Sequence, residues 1–261
     1  MSRTALITGA TSGIGRAFAE RFASMGYDLI ITGRRKDVIE KAAGEISKQN
    51  GVKVSVVLAE LSEEAGISKV LKEIKKAGCI DALVNNAGFG LDNLFYDENV
   101  ENHLKMTAVH IDAPVRLTHA VLPGMIKAGG GIVINVSSLG SFLPIPLNSI
   151  YGGTKAFLNI FSGSLHVELR SKGIKFQSLC PGFTSTDFHI RMGVEEEIKK
   201  DVKHWMSPVE VVNYSMKSLA KGKIICIPGF RNRLLGILPF IFPEKIYYGI
   251  ISIIYKKYLE K

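Results

Sequence analysis

Residues 4–15 read TALITGATSGIG, an apolar strand-like run that passes through a glycine-rich turn into a helix-length segment. Glycines in such a turn tolerate positive φ angles and let the backbone approach a pyrophosphate closely. The helix that follows directs its free N–H groups and the positive end of its dipole at the anion. The strand–turn–helix context therefore predicts a dinucleotide-phosphate site, made by Gly9, Thr11, Ser12, Gly13, Ile14 and Gly15.

Strand-like runs alternate with helix-length segments along the rest of the chain. This alternation predicts one domain spanning residues 1–261, a Rossmann-like doubly wound parallel sheet of about seven strands. Several runs are apolar throughout, as expected of strands that helices cover on both faces. The candidate strands are Thr4–Thr8, Asp28–Thr32, Val54–Leu58, Ala82–Val84, Ile132–Val136, Lys175–Cys180 and Ile224–Ile227. The candidate helices are Gly13–Met25, Lys36–Gln49, Glu63–Ala77, Asn99–Ala120, Ser149–Lys172 and Pro208–Ala220.

The composition is that of a globular protein, with 261 residues of which 46% are apolar and 22% charged. The formal charge of +9 arises from basic residues scattered among acids, with no stripe interleaved with aromatic residues, so we expect no nucleic-acid partner. Cys79, Cys180 and Cys226 are far apart and match no metal-ligand spacing. They predict reduced thiols in a cytoplasmic protein without a metal site.

The second candidate strand ends in Gly33-Arg34-Arg35-Lys36, with no acidic residue. An acid at this point would bind the ribose hydroxyls of NAD, whereas the planar guanidinium group of Arg34 suits a 2′-phosphate, with Arg35 or Lys36 assisting. A merely basic helix start is the alternative, although helix N-termini disfavour cations. The sequence therefore favours NADPH over NADH.

Three residue types in the middle of the chain suggest acid–base chemistry. Tyr151 and Lys155 are four residues apart and therefore share one helix face. A phenol with a pKa near 10 is a poor catalyst at neutral pH, and a cation one turn away lowers that pKa. Ser138 follows a candidate strand, where its hydroxyl is placed to donate a hydrogen bond to a substrate carbonyl.

With these motifs in order, the chain resembles the short-chain dehydrogenase/reductase family from about Thr4 to Ile227. The matching motifs are Thr8–Gly15 (TGxxxGxG), Asn85–Gly88 (NNAG), Ser137-Ser138, Tyr151–Lys155 (YxxxK) and Pro181–Thr186 (PGxxxT).

The resemblance implies a role for each matching residue. Tyr151 would protonate the substrate oxygen, Lys155 would hold the nicotinamide ribose and lower the pKa of Tyr151, and Ser138 would position the carbonyl group. The residues implied at the adenosine side of the cofactor are Glu60, Leu61, Asn86, Ala87 and Gly88. Those implied around the nicotinamide are Pro181, Gly182, Phe183, Thr184 and Thr186.

One position departs from the family pattern. His110 stands where the family usually carries a catalytic Asn, which bends its helix and holds a water that exchanges protons with the lysine. Imidazole both donates and accepts hydrogen bonds, so His110 is a candidate for that relay. The alternative is a packed histidine with the relay lost.

Two segments lie beside or beyond the motifs. Residues 187–206 are a candidate substrate lid by resemblance, and residues 234–261 form an apolar C-terminal extension. A helix that is apolar nearly all round, as expected for Glu244–Leu259, must be buried or paired, so a subunit contact or closure of the pocket is expected. Peripheral membrane contact is a lesser alternative. A homo-oligomer is implied by the resemblance.

The sequence as a whole predicts an oxidoreductase that moves hydride between NADP(H) and a hydrophobic ketone, aldehyde or secondary alcohol. Apolar residues around the proposed site favour such a substrate over a sugar. Two alternatives are a 3-oxoacyl-thioester reductase of fatty-acid metabolism and a non-catalytic NADPH-binding sensor or scaffold.

Overall fold

The computed structural model describes residues 2–144, 146–186 and 205–259. The described residues form a seven-stranded sheet in the order β3-β2-β1-β4-β5-β6-β7, in which every neighbouring pair is parallel. The strands are β1 Thr4–Ile7, β2 Asp28–Gly33, β3 Val54–Leu58, β4 Ala82–Asn85, β5 Gly131–Val136, β6 Ile174–Leu179 and β7 Ile225–Cys226. The predicted doubly wound parallel sheet is confirmed, and its strand bounds differ from the predicted ones by one residue or less at each end.

Helices cover both faces of this sheet. They are α1 Gly13–Ser24, α2 Lys36–Asn50, α3 Glu64–Ala77, α4 Val100–Thr107, α5 Ala113–Ala128, α6 Ser149–Leu169, α7 Pro208–Ala220, α8 Phe230–Ile241 and α9 Glu244–Leu259. Two apolar clusters result, one on each face, and fully buried Phe18 and Phe22 of α1 belong to one while Phe176 of β6 belongs to the other. This two-sided burial explains why the strand sequences are apolar without alternation.

The order of the strands reverses between β1 and β4, because β2 and β3 lie on one side of β1 and the later strands on the other. Ligands of open α/β sheets bind at such a switch point, beside the carboxyl ends of the strands. The glycine turn after β1, the Asn85–Gly88 motif after β4 and Ser138 after β5 all meet this edge.

The predicted helix Asn99–Ala120 is wrong as a single helix. α4 ends at Thr107 and α5 begins at Ala113, and between them Ala108–Asp112 forms a π-helical turn. Such single turns inside α-helices are frequent at functional sites. His110 lies in the middle of the turn and is buried.

The candidate lid, residues 187–206, lies outside the described residues except for Trp205 and Met206. The C-terminal extension forms α8 and α9, and α9 has the predicted bounds. Among the described residues, none of the helices combines the length and the hydropathy needed to cross a membrane.

Candidate active site

The conformation of the glycine turn depends on the positive φ of Gly9 and on the neighbouring Thr8. Gly9 has a φ of 66°, and a Cβ at this position would lie only 2.9 Å from the Cα of Ala87. A Cβ at Gly15 would collide with the carbonyl oxygen of Gly9. The backbone therefore forms a cradle that larger residues would fill, and this cradle at the start of α1 fits a dinucleotide pyrophosphate.

The Asn85–Gly88 motif braces this turn from the neighbouring strand. Thr8 Oγ1 accepts hydrogen bonds from the backbone N–H groups of Asn86 (2.9 Å) and Ala87 (3.0 Å). The Asn86 side chain donates to the carbonyl oxygens of Thr8 (2.9 Å) and Gly9 (3.1 Å). Asn86 thus fixes the glycine turn from behind, a role that the sequence did not indicate; contact with adenosine stays a prediction.

At the far end of the glycine turn, two arginines stand where the second phosphate was predicted. Arg34 donates to Glu60 Oε2 at 2.9 Å, and Arg35 donates to Thr11 Oγ1 at 3.4 Å. Burial raises the pKa of Glu60, but hydrogen bonds from Ser62 and Arg34 outweigh burial and hold the pKa below its ordinary value. Glu60 is therefore an anion at neutral pH, and it engages the guanidinium group that is the candidate phosphate ligand.

Leu61, the next residue, is 5% exposed and belongs to one of the two apolar clusters. Its implied contact with adenine stays a prediction.

Tyr151 and Lys155 share one face of α6 as predicted, and Ser138 lies beside them. The Ser138 hydroxyl is hydrogen-bonded to the Tyr151 side chain. The Lys155 ammonium group lies 5.5 Å from the centroid of the Tyr151 ring and donates to the carbonyl oxygen of Val136 at 2.9 Å. Three elements, β5, the turn after it and α6, thus bring an acid, a cation and a hydroxyl donor together.

Burial dominates the acid–base properties of this group. It raises the pKa of Tyr151 above its ordinary value, although the hydrogen bond from Ser138 acts in the opposite direction. It lowers the pKa of Lys155 to about 8. Burial sets the direction of the Tyr151 shift, and the Lys155 ammonium group is hydrogen-bonded to the Val136 carbonyl oxygen. A lowering of the Tyr151 pKa by Lys155 stays a prediction. At neutral pH the phenol carries its proton.

His110 connects the site to two neighbouring segments. Its Nε2 accepts a hydrogen bond from the backbone N–H of Phe89 at 3.1 Å, so the ring proton is assigned to Nδ1. Nδ1 then donates to Thr154 Oγ1 at 2.9 Å, and the threonine hydroxyl donates to the carbonyl oxygen of Tyr151 at 2.8 Å.

The environment of His110 also fixes its charge. Burial, together with the positive charge of Lys155, lowers the pKa of His110 well below its ordinary value. The neutral ring meets the Tyr151 ring edge to face, with centroids 5.7 Å apart. Both ring nitrogens are engaged, which favours the packed histidine over a relay through the imidazole. Thr154, which completes this chain of contacts, was missed; its only sequence signal is its place inside the Tyr151–Lys155 motif.

The Pro181–Thr186 segment contacts both the glycine turn and the turn that carries Ser138. A Cβ at Gly13 would meet the Thr186 side chain at 2.9 Å, so this segment reaches the glycine turn. The Leu139 N–H donates to the carbonyl oxygen of Pro181 at 2.8 Å, which ties the segment to the turn that carries Ser138. The predicted nicotinamide contacts therefore lie between the phosphate cradle and the acid–base group.

The chain is similar in sequence and in structure to short-chain dehydrogenases. A model of the short chain dehydrogenase family matches residues 3–197. The chain is 35% identical, over 189 residues, to a protein of Anas platyrhynchos named very-long-chain 3-oxoacyl-CoA reductase. The aligned region covers 70% of this chain and 60% of that protein, so the chain spans less than two thirds of the length of this relative.

Solved structures share the fold over nearly the whole chain. A short-chain dehydrogenase from Sphingobium yanoikuyae in complex with NADPH has a TM-score of 0.82 and 30% identity, and covers 93% of this chain and 97% of its own. The bulky-bulky ketone specific alcohol dehydrogenase from Comamonas testosteroni has a TM-score of 0.78 and 28% identity, with coverage of 93% and 95%.

Proposed function

The chain belongs to the short-chain dehydrogenase family and is an oxidoreductase, and from that premise we propose that it transfers hydride between NADP(H) and a hydrophobic ketone, aldehyde or secondary alcohol. The observation that carries the proposal is the convergence of Ser138, Tyr151 and Lys155 at the edge of the sheet where the glycine turn ends. A partly buried acid, a buried cation and a hydroxyl donor at one place suit proton transfer to a bound carbonyl group, which favours an enzyme over a binding module.

A nicotinamide held beside this group would supply the hydride that reduction of a carbonyl carbon requires. Tyr151 donates its phenolic proton to the carbonyl oxygen, and its raised pKa keeps that proton available at neutral pH. The Ser138 hydroxyl donates a hydrogen bond to the same oxygen and so stabilises the negative charge that develops there. Lys155, whose pKa of about 8 leaves it mostly charged at neutral pH, stabilises the phenolate that remains.

NADPH is the preferred cofactor in this proposal. Support comes from Arg34 and Arg35, two exposed cations at the end of β2 with no acid at the position that would bind the ribose hydroxyls of NAD. The guanidinium group of Arg34 lies next to Glu60, so a 2′-phosphate and the Glu60 carboxylate compete for one cation. A relative solved in complex with NADPH is consistent with this choice.

The substrate side is apolar, which supports a hydrophobic carbonyl compound. Phe89 is fixed by its backbone hydrogen bond to His110, and Phe183 packs against Trp205 with ring centroids 5.5 Å apart. Leu139 and Phe142, which follow Ser138, contact Gly236 of α8. A pocket with apolar walls and few polar groups selects for apolar ligands, and a relative's name records bulky ketones.

A 3-oxoacyl thioester is the second candidate substrate. The name of the relative from Anas platyrhynchos favours it, because that name describes reduction of a keto group on a long acyl chain. The chemistry at Tyr151 and Ser138 is the same for both substrates, so only the rest of the molecule distinguishes them.

The test is oxidation of NADPH and of NADH by the purified chain against a panel of carbonyl compounds. The panel holds a steroid ketone, a diaryl ketone, a long-chain aldehyde, a 3-oxoacyl thioester and a ketose sugar. We expect faster turnover with NADPH and with the hydrophobic members. Turnover of the ketose alone would contradict the substrate class, and no turnover with any member would favour the sensor or scaffold.

A further inference from the structure

The two C-terminal helices expose a large apolar surface. Four of the six exposed large apolar residues of α8 recur at i, i+4, i+7 and i+11, and three of the four described on α9 recur at i, i+4 and i+7, so each helix presents a stripe. Together with Phe240 these stripes are called the C-terminal apolar face: Phe230, Leu234, Ile237 and Ile241 on α8, and Ile246, Ile250 and Ile253 on α9. Phe240 is 79% exposed and Ile253 76% exposed. A large exposed apolar patch is typical of a surface that binds another protein or a membrane.

A basic cleft adjoins this face. The cleft has a volume of about 470 Å³ and lies between α7, β7 and α8. Four of its lining residues are basic, Lys217, Lys221, Lys223 and Arg233, and among the described residues that line it none is acidic. Arg233 is held in place, because its Nε donates to the carbonyl oxygen of Ile227 at 3.2 Å and its guanidinium group lies 5.2 Å from the Tyr214 ring centroid. The cleft therefore concentrates positive charge without compensation.

Arg233 lines the cleft and belongs to α8, the helix that carries one stripe of the apolar face. It precedes Leu234 of the α8 stripe by one residue and Phe240 by two helical turns, so it stands at the border of the apolar face. An apolar face bordered by cations is the anatomy of a helix that lies in the boundary between lipid headgroups and acyl chains. The lengths of α8 (12 residues) and α9 (16 residues) fit helices that lie on a membrane, because each is shorter than the roughly 20 residues that span a bilayer.

From this combination we propose that the C-terminal apolar face and the basic cleft bind the surface of a membrane containing anionic phospholipids. The apolar face enters the headgroup–acyl boundary, and the cleft holds a lipid phosphate.

The positive charge around the C-terminal apolar face argues against a second copy of the chain as its binding partner. In a two-fold interface the same patch faces itself. Between residues 230 and 256, the described residues include the cations Arg231, Arg233, Lys245 and Lys256 and one acid, Glu244, so two such patches repel. An anionic surface neutralises the same charges, because negatively charged lipids attract Lys and Arg side chains near the membrane.

Docking has a consequence for the active site. Gly236 of α8 packs against Leu139 and Phe142, and Asn232 packs against Gly182. Membrane binding therefore brings the substrate side of the site close to the bilayer, where hydrophobic carbonyl compounds accumulate. This consequence rests on the proposed function; the docking itself does not.

The test is co-sedimentation of the full chain with vesicles of phosphatidylcholine alone and of equal parts phosphatidylcholine and phosphatidylglycerol. We expect binding to the mixed vesicles, weakened by added salt, and little binding to the neutral ones. Phe240→Ser/Ile241→Ser and, separately, Lys217→Glu/Lys223→Glu should each reduce the partition constant at least about tenfold. Val100→Ser/Leu104→Ser on α4 is the matched control, because both residues are more than half exposed outside the face, and it should bind as the unaltered chain does.

The outcomes separate the possible occupants. Equal binding to both kinds of vesicle, or full binding by the altered chains, would overturn the proposal. So would a change of oligomeric state in Phe240→Ser/Ile241→Ser with vesicle binding unchanged, since that result assigns the face to a second copy. Release by inorganic phosphate beyond that caused by chloride of equal ionic strength would assign the cleft to a free anion instead. Retained NADPH binding shows that each altered chain is folded, whether or not it turns over a carbonyl substrate.

Discussion

His110 is a residue at which the chain departs from the pattern that its family resemblance implies. The sequence left two interpretations open, a proton relay and a packed histidine, and the contacts with Phe89 and Thr154 favour the second. We infer that His110 positions Tyr151, because Thr154 passes its hydrogen bond on to the backbone of that residue. A positioning residue affects the rate without contributing an ionisation of its own.

Substitution His110→Phe tests this role. It keeps a ring but leaves the Phe89 N–H and the Thr154 hydroxyl without their buried partner, at a cost of about 1–3 kcal/mol in stability. We expect a lower kcat with the shape of its pH profile unchanged, because the neutral imidazole does not titrate in the working range. His110→Asn, which restores a donor and an acceptor, should recover part of the rate. Loss of an ionisation from the His110→Phe profile would instead show a relay.

We propose that Arg34 sets the preference for NADPH over NADH. Arg34→Ser removes the guanidinium group proposed to hold the 2′-phosphate, so the Kd for NADPH should rise about tenfold to a hundredfold, while the Kd for NADH should change little. Arg21→Ser, an exposed arginine on α1, is the control. Fluorescence titration of both cofactors measures the effect, and equal losses for NADPH and NADH would argue against a phosphate contact.

At the scale of elements, the glycine turn and the start of α1 depend on close backbone approach. Gly15→Ala should reduce both NADPH binding and the free energy of unfolding, the latter by about 1–3 kcal/mol, because its methyl group meets the Gly9 carbonyl and the Asn86 side chain. Gly163→Ala on α6 is the matched control, since a Cβ there has nothing within 4 Å and should stabilise the helix by up to about 1 kcal/mol. Equal stability of the two altered chains in urea unfolding would refute the close approach.

Sequence patterns predicted the elements well where local chemistry decides them. The glycine turn, the apolar strands and the Tyr151–Lys155 spacing are local, and each is found as predicted. The residue pattern did not predict the π-helical turn around His110, because no Gly or Pro interrupts residues 100–112 and the helical pattern continues through it. Only the family resemblance, through the Asn that bends the corresponding helix, pointed to this position. The contact between Arg34 and Glu60 joins residues 26 positions apart, brought together by the parallel register of β2 and β3.

At the scale of the whole molecule, burial of ionisable groups makes stability depend on pH. The pKa of Lys155 falls from 10.5 to about 8 on folding, so between these values the unfolded chain binds more protons than the folded one. The contribution of Lys155 to stability therefore rises with pH across that window. Below about pH 8 it is a constant penalty on the order of 3 kcal/mol.

Lys155→Met isolates this contribution. It removes the charge and keeps most of the volume, so the altered chain should be more stable than the unaltered one at pH 7, and the difference should shrink as the pH rises through 8 toward 10.5. Urea unfolding of both chains at several pH values measures it. Burial also raises the pKa of Cys180 from 9.0 to about 11, so the contribution of this thiol to stability falls as the pH rises between these values. Both chains contain Cys180, so its contribution cancels when their stabilities are compared. A difference independent of pH would contradict the assignment.

The charge distribution of the molecule was less predictable than its fold. The sequence shows a formal charge of +9 without a basic stripe, yet folding gathers lysines from α7 and the loop after it with Arg233 of α8 around one cleft. Neighbours in such a cleft come from different elements, so no linear pattern reveals them. The same holds for the C-terminal apolar face, which becomes visible as exposed only once α8 and α9 are seen against the rest of the molecule.

We propose that the partly buried, protonated phenol of Tyr151 is the acid in hydride transfer. Tyr151→Phe removes the hydroxyl group and keeps the ring that meets His110. Steady-state turnover of the best carbonyl substrate should fall by about 10²–10⁴-fold, with the Kd for NADPH nearly unchanged, whereas Tyr248→Phe on the exposed surface of α9 should leave both unaltered. Turnover by Tyr151→Phe at the rate of the unaltered chain would show that Tyr151 is not the acid.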